Sequence, residues 1–305
     1  MASWKERGGE AKVTVRCATY NHEPYIKDAL HGFLSQKTNF RYKIVVHDDA
    51  STDGTADIVA DYAKRYPRLI FPILQKQNLR SRGISRKQFV DPLLEGPYVA
   101  ICEGDDYWIA RDKLQRQVDF LDQNPEYSMV FHSAIELNET CGTSKVFSVV
   151  ENRQYLGEEF LRKWLIPTAS VVYRKAMLRH DLYEGKPFFG DIVLFLKLAA
   201  GGFVWGMSQE MSVYRRHPTG LTRTNKSMDP VHRIDRLLHH WESIGAGFGK
   251  RYREISRQNM ARLFRHKASE LRKRKDAGFV VCLFRSFVHD ARGSCRHYLT
   301  KSPCR

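Results

Sequence analysis

Tyr98-Val99-Ala100-Ile101-Cys102-Glu103-Gly104-Asp105-Asp106 is the stretch on which the reading of this chain turns. Residues 98–102 read as a short apolar strand, and three carboxylates follow within four residues. Such side chains repel one another, and a solvated loop gains nothing from them. A divalent ion removes the repulsion, and Mg²⁺ or Mn²⁺ suits carboxylate oxygens. The same grammar occurs twice upstream. Residues 13–17 form an apolar strand leading into Ala18-Thr19-Tyr20-Asn21, and residues 44–46 lead into His47-Asp48-Asp49-Ala50-Ser51-Thr52-Asp53-Gly54-Thr55. Helical stripes separate the strands: Ile26, Leu30, Phe33 and Leu34 behind Pro24, then Ile58, Val59 and Tyr62, then Leu114, Val118 and Leu121, ended by Asn124-Pro125. Residues 69–74 add a further strand. The alternation predicts an α/β fold with a mostly parallel sheet, in which ligands bind at the carboxyl ends of the strands. Those ends offer an aromatic ring, hydrogen-bond acceptors and hard oxygen ligands, as a base, a ribose and a metal-bound diphosphate require.

The second half is more mixed. Strands are expected at 128–132, 145–149, 170–173 and 212–214, and a helix at 192–200 stopped by Gly201-Gly202. Beyond Pro230 the pattern is wholly helical. Ile255, Met260, Leu263, Phe264, Ala268 and Leu271 share one face, Asp276-Ala277-Gly278 breaks the helix, and a second apolar helix follows. Charge follows the same division. The chain of 305 residues has a net charge of +16, of which residues 226–305 hold +12, from 19 Lys and Arg against 7 Asp and Glu. A boundary near Asn225 and an anionic partner for the basic helical extension are expected. Candidate partners are nucleic acid, phospholipid headgroups or a phosphate-bearing substrate.

Composition excludes several classes. With 42% hydrophobic and 28% charged residues the chain is globular, not disordered. No apolar run approaches the ~18 residues of a membrane span, and the polar start Met1–Glu10 reads as neither signal peptide nor anchor. Six scattered cysteines, Cys17, Cys102, Cys141, Cys282, Cys295 and Cys304, contain no CxxC pair, so reduced thiols in a cytoplasm are expected rather than zinc ligands or disulfides.

Five motifs in order resemble the family 2 glycosyltransferases of GT-A fold: residues 14–21, 48–55, Glu103-Gly104-Asp105-Asp106-Tyr107-Trp108, Gly190-Asp191-Ile192-Val193-Leu194 and Tyr214-Arg215-Arg216-His217. The resemblance, to enzymes of the bacterial surface-polysaccharide type, covers roughly residues 12–222. It implies a GT-A, Rossmann-like mixed sheet over residues 1–225, with a nucleotide-binding half at 12–125 and an acceptor half at 126–225, followed by the extension at 226–305. It implies an inverting hexosyltransferase that uses Mn²⁺ or Mg²⁺ and a nucleotide-sugar donor, a UDP-sugar, with a glycan or lipid-linked saccharide acceptor.

Residue by residue, the resemblance places Tyr20 against the uracil, with Ala18, Thr19 and Asn21 around it, and gives Asp49 a hydrogen bond to the base. Asp105 falls near the ribose and Asp106 on the metal, with Glu103 at the first position of the "DxD" element, where aspartate is usual. Arg82 joins the nucleotide set, Arg80 and Arg86 being its alternatives. Asp191 matches the catalytic base. His217 is taken as a further metal ligand, the other readings being a diphosphate contact or an exposed loop histidine. Arg215 and Arg216 are candidates for phosphate, and Trp108 for a wall of the acceptor pocket or for the core.

The chemistry stands beside the resemblance. An inverting transfer is an in-line displacement needing one base for the acceptor hydroxyl and stabilisation of the departing diphosphate, not the carboxylate pair of glycoside hydrolysis. Asp191 begins a helix, which favours the carboxylate by ~0.3–1 kcal/mol and weakens a base. Phe188, Phe189 and Ile192 oppose this by desolvation. Base and helix cap are both open to it, and the two roles coexist. Two other classes compete. A nucleotidyltransferase wants a glycine-rich loop after its first strand, and residues 18–23 contain no glycine. A nucleic-acid-binding protein would use the basic helices, but they lack zinc-finger spacing and an RNP-like strand. Nucleic acid is not expected as a partner. For residues 250–300 two readings stay open, contact with an anionic membrane surface or a solvated face on a packing hairpin; the first would put the cytoplasmic protein on the inner face of the plasma membrane.

Overall fold

The structure is a computed structural model and describes residues 10–183, 187–220 and 228–290. β1 (Val13–Thr19) is mostly buried, and α1 (Ile26–Leu34) packs Ile26, Ala29, Leu30 and Phe33 inward at helical spacing. Every residue of β2 (Tyr42–Asp48) is buried, the mark of a strand covered on both faces. α2 (Thr55–Arg65), β3 (Ile70–Leu74), the short α3 (Lys87–Val90), β4 (Tyr98–Ile101) and β5 (Tyr107–Trp108) follow. α4 (Lys113–Gln123) ends at Asn124 as its sequence predicts. Then come β6 (Tyr127–Asn138), β7 (Thr143–Val146), β8 (Arg153–Tyr155), α5 (Gly157–Arg162), β9 (Val172–Arg174), α6 (Gly190–Ala199) and β10 (Phe203–Arg216).

Among the described residues these ten strands form one mixed sheet in the order β3-β2-β1-β4-β9-β6-β10-β5, with β7 on β6 and β8 on β10. β3, β2, β1 and β4 are parallel neighbours, and β9 runs antiparallel between β4 and β6. The expected mixed α/β sheet with flanking helices is therefore present. β10 is far longer than the 212–214 its sequence suggests. Irregularities in its pairing with β6 between Met207, Glu210 and Ser212 break the two-residue alternation on which strand recognition depends.

The chain divides into two compact units. The first, Met1–Leu156, Trp164–Leu178 and Leu198–Arg216, holds the sheet. Its core gathers Val15, Cys17, Leu30, Phe33, Ile44, Trp108, Leu114 and Val130 among others. The second is Gly157–Lys163, Arg179–Lys197 and His217–Arg305. It contains α7 (Pro230–Gly247), α8 (Lys250–Lys273) and α9 (Phe279–His289), so the expected helical region is present, as three helices. Pro230 opens α7 behind Asp229, whose carboxylate accepts the His232 N–H at 3.0 Å. Ile234, Leu238, Met260, Phe264, Ala268, Leu271 and Cys282 form a core for these helices, and Glu158 of α5 pairs with Arg251 of α8. The expected boundary at Asn225 lies outside the described residues, as do Cys295, Cys304, the rest of 291–305 and residues 1–9.

Candidate active site

Backbone hydrogen bonds carry three strand ends into one place. Thr19 stands opposite Asp48 in the β1–β2 register. Asp49 N–H donates to Thr19 O at 3.0 Å, so β2 leaves the sheet beside the end of β1. On the other side Cys102 N–H donates to Arg16 O (3.2 Å) and Gly104 N–H to Ala18 O (2.8 Å), extending β4 along β1 up to the acidic loop. The glycine is required there: a Cβ on Gly104 would sit 2.7 Å from Thr19 Oγ1 and 2.9 Å from Ile26 Cδ1. Glu103 and Asp105 can flank β1 only because the residue between them has no side chain.

Around the first two ends the side chains fasten loop to loop. Asn21 and Ala50 both have left-handed backbone, φ 54° and 62°. Asn21 Oδ1 accepts Thr52 N–H (2.8 Å), and Asn21 N–H donates to Ser51 Oγ (2.9 Å). Asp48 holds the Ser51 N–H at 2.9 Å, Asp53 holds the Glu23 and Thr55 amides at 3.1 and 3.0 Å, and Glu23 accepts the Gly54 N–H at 2.8 Å. Asp49 is buried, with Oδ1 on Leu79 N–H (2.8 Å) and Oδ2 on Arg80 N–H (3.1 Å). It thereby brings the arginine-bearing loop to the strand ends. Beyond this latticework Tyr20 stands 43% exposed. Thr19 Oγ1 is buried with no hydrogen-bond partner.

The acidic loop is held by one arginine. Arg215, buried near the end of β10, donates from Nε to Glu139 Oε1 (2.6 Å), from Nη1 to Asp105 O (3.1 Å) and from Nη2 to Asp28. Its backbone N–H donates to Asp106 Oδ1 at 2.8 Å, and its guanidinium lies 4.3 Å from the Tyr107 ring centre. Asp106 is buried, and burial, then the neighbouring Asp105 charge, push its carboxyl well above the ordinary value against the pull of the Arg215 amide. Asp105 is only half-buried, its Oδ2 3.6 Å from His22 Nε2. Glu103 Oε2 is buried and has no hydrogen-bond partner. Asp105 Oδ2 beside His22 Nε2 is an oxygen and nitrogen donor pair of the kind that binds a divalent ion.

The three candidate arginines separate. Arg82 is exposed and bonds the Gln77 side chain. Arg80 is exposed, and its amide serves Asp49. Arg86 is half-buried, its pKa pushed down to about 10 by burial and then by Arg16, with Glu103 and Asp49 pulling the other way. It stays charged at neutral pH, between the second and fourth strand ends.

Trp108 is a core residue rather than a pocket wall. It is 3% exposed, with its indole N–H on Ala169 O (2.9 Å) and its ring edge-on to Phe33. Lys113 lies 4.1 Å from the Trp108 ring centre and donates to Gln117 Oε1 at 2.7 Å. Burial pushes its pKa down to about 7. Each nitrogen of the buried Arg215 guanidinium donates to a protein oxygen. Arg216 donates to Glu136 at 3.0 Å.

Two predicted residues belong to the second unit. Asp191 is the second residue of α6 and accepts the Ile192 N–H at 3.0 Å, with Phe188 and Phe189 packed edge to face just before it. His217 is buried, its Nδ1 3.0 Å from Thr219 Oγ1, and is joined by one peptide bond to the last residue of β10.

The sequence pattern described as "Glycosyl transferase family 2" matches residues 14–184. The chain belongs to that family. An uncharacterised Mycobacterium tuberculosis protein is 39% identical over 213 residues, covering 68% of this chain and 60% of the relative, so the chain spans about three-fifths of that relative's length. Bacillus subtilis TuaG, named as a glycosyltransferase of teichuronic acid biosynthesis, is 27% identical over 221 residues, 70% of this chain and 81% of TuaG. Among solved structures, residues 1–349 of S. aureus TarS in complex with UDP-GlcNAc share the fold at a TM-score of 0.62 and 19% identity, covering 88% of this chain and 75% of that one.

Within this family member, the residue that sequence reading placed wrongly in kind is Arg215. An arginine pair before a histidine suggests phosphate contact. Its burial is signalled only by β10 being a central strand, which the broken alternation hides.

Proposed function

We propose that the chain transfers a sugar from a nucleoside-diphosphate sugar, a UDP-sugar, to a hydroxyl of a glycan or lipid-linked saccharide in cell-surface polysaccharide synthesis. The transfer is of hexosyl type, inverting and dependent on Mn²⁺ or Mg²⁺. The observation that carries this is the meeting of Asp49, Glu103, Asp105 and Arg86 at the ends of parallel strands, in a chain of this family. UDP-GlcNAc in the TarS complex supports the donor class, and the name of TuaG supports the acceptor class.

In this reading Tyr20 stacks on the base, flanked by Ala18, Thr19 and Asn21, and Asp49 bonds it through the second lone pair of an oxygen. Asp105, Asp106 and His217 are the residues that would hold the ion. Asp105 leads the set, because its carboxylate is less buried and lies beside His22 while one Asp106 oxygen accepts the Arg215 amide. When bound, the ion supplies Lewis-acid stabilisation of charge on the diphosphate. Arg86, rather than Arg82, faces that diphosphate. Asp191 takes the proton of the acceptor hydroxyl, whose oxygen bonds the anomeric carbon as the bond to the diphosphate breaks. Asp191 lies in the first turn of α6. The protein works in the cytoplasm, where the basic residues of 250–300 meet the anionic inner face of the plasma membrane.

A thermal-shift series with UDP plus Mn²⁺, ATP, and single-stranded DNA tests the reading, followed by donor hydrolysis over a panel of nucleotide sugars. UDP with metal at ~100 Kd stabilises by about 2.7 kcal/mol. Arg86→Gln loses at least ~10-fold in UDP affinity, the order of a charged hydrogen bond, while Arg82→Gln stays near wild type. A response to ATP or DNA alone would overturn the proposal.

A further inference from the structure

α9 is apolar on more than the side it buries. Cys282 and Ser286 face the helical core, and Phe279 and Leu283 pack partly against it. Val280, Val281, Phe284, Phe287 and Val288 lie on the other side and are all exposed, Phe284 by 68%. At about 100° per residue the five span roughly 120° of the helix surface. Arg285 and His289 are its only basic residues. A helix with two apolar faces belongs in a protein core or in lipid. Its 11 residues make about 16 Å, too short for a hydrocarbon layer of ~30 Å. Such a helix lies in the plane of the interface.

Charge selects the occupant. Lys250, Arg251, Arg253 and Arg257, with Glu254, line an open groove at the start of α8. Arg257 Nη2 donates to Val288 O at 3.3 Å, so the cationic groove adjoins the apolar face. Arg272, Lys273, Arg274 and Lys275 lead into α9 on its other end. A second copy of the chain would set one +12 region against another. An anionic bilayer answers both the charge and the apolar surface, and stable attachment takes two such signals.

We propose that α9 inserts its outer face into the headgroup–acyl boundary of an anionic bilayer, with the basic groove on lipid phosphates. This rests on the membrane contact of the proposed function and makes it an insertion rather than a surface adsorption. It does not depend on the sugar chemistry.

The test is sedimentation of the full chain with phosphatidylcholine vesicles, pure or about one-third phosphatidylglycerol, at low salt and at about 0.5 M NaCl. Binding to the anionic vesicles should survive high salt in part. Phe284→Glu/Phe287→Glu should lower the partition at least ~10-fold at both salts, with an unchanged circular dichroism spectrum. Phe284→Trp, which keeps the fold, should shift its emission to the blue and be quenched by lipids brominated in the acyl chain. Binding that salt abolishes and the double variant retains overturns insertion and leaves charge alone. No binding to either vesicle removes the membrane contact altogether. A dimer that the double variant converts to monomer, with no tryptophan shift, puts a second copy on this face instead.

Discussion

Replacing Arg215 tests the idea that one buried guanidinium holds the acidic loop in place. Its side chain is 6% exposed, and its three donor groups go to Glu139, the Asp105 carbonyl and Asp28. Removing one member of a buried ion pair costs about 3–5 kcal/mol when the survivor stays buried. Here the Asp28 and Glu139 side chains are 50% and 32% exposed, so water takes over part of their solvation. Roughly 2–3 kcal/mol is the loss expected for Arg215→Gln, which at about 2–4 °C per kcal/mol lowers Tm by roughly 4–12 °C. The Asp106 carboxylate keeps its partner, since glutamine or lysine at 215 presents the same backbone N–H. The functional loss therefore falls on Asp105 and is read as weaker metal-dependent UDP binding, by at least ~10-fold. Arg215→Lys keeps the charge but not the three-way reach, and recovers stability more than binding. Differential scanning calorimetry and UDP titration with Mn²⁺ measure the two. If Arg215→Gln melts within a degree of wild type and binds UDP as tightly, the loop is held by something else.

Lys113 makes stability depend on pH. Its folded pKa of about 7 lies below the ordinary 10.5, so between those values the unfolded chain holds a proton that the folded chain has shed, and stability rises with pH at up to ~1.4 kcal/mol per unit. From pH 7 to 8.5 wild type should gain roughly 1.5–2 kcal/mol that Lys113→Met does not; parallel Tm curves would show that the folded chain keeps the proton on the amine throughout. Asp191→Asn should leave donor affinity within a few-fold and lower kcat by ~10²–10⁴-fold. Normal turnover with a lower Tm would make Asp191 a helix cap and nothing more.

How much of this was legible in the sequence follows from where the signal is local. Strands β2 and β4 announce themselves because burial on both faces writes short apolar runs at 44–46 and 98–101, β1 by the alternation of Val13, Val15 and Cys17, and α1, α2 and α4 because one stripe repeats at helical spacing. The polar residues after each run mark the strand ends without any knowledge of pairing. β5, β8 and α5 were missed because two to six residues carry no period. β10 was cut short by its irregular register with β6. Local signals also marked the strand ends but not the contacts made there.

Those contacts join residues distant in sequence. Asn21 joins residues 51 and 52, Asp49 joins 79 and 80, and Arg215 joins 28, 105, 106 and 139. A motif shows that an arginine stands near an acidic cluster, but an arginine facing phosphate and one facing carboxylates have the same one-letter neighbourhood. Burial decides between them. Arg215 lies on a central strand with every arm of its guanidinium committed, whereas Arg86 lies on the loop that Asp49 draws in, beside carboxylates that leave it charged. The same reasoning separates Asp105 from Asp106, adjacent residues of one chemistry. The strand reversal into β5 turns Asp106 into the protein and leaves Asp105 less buried, beside His22.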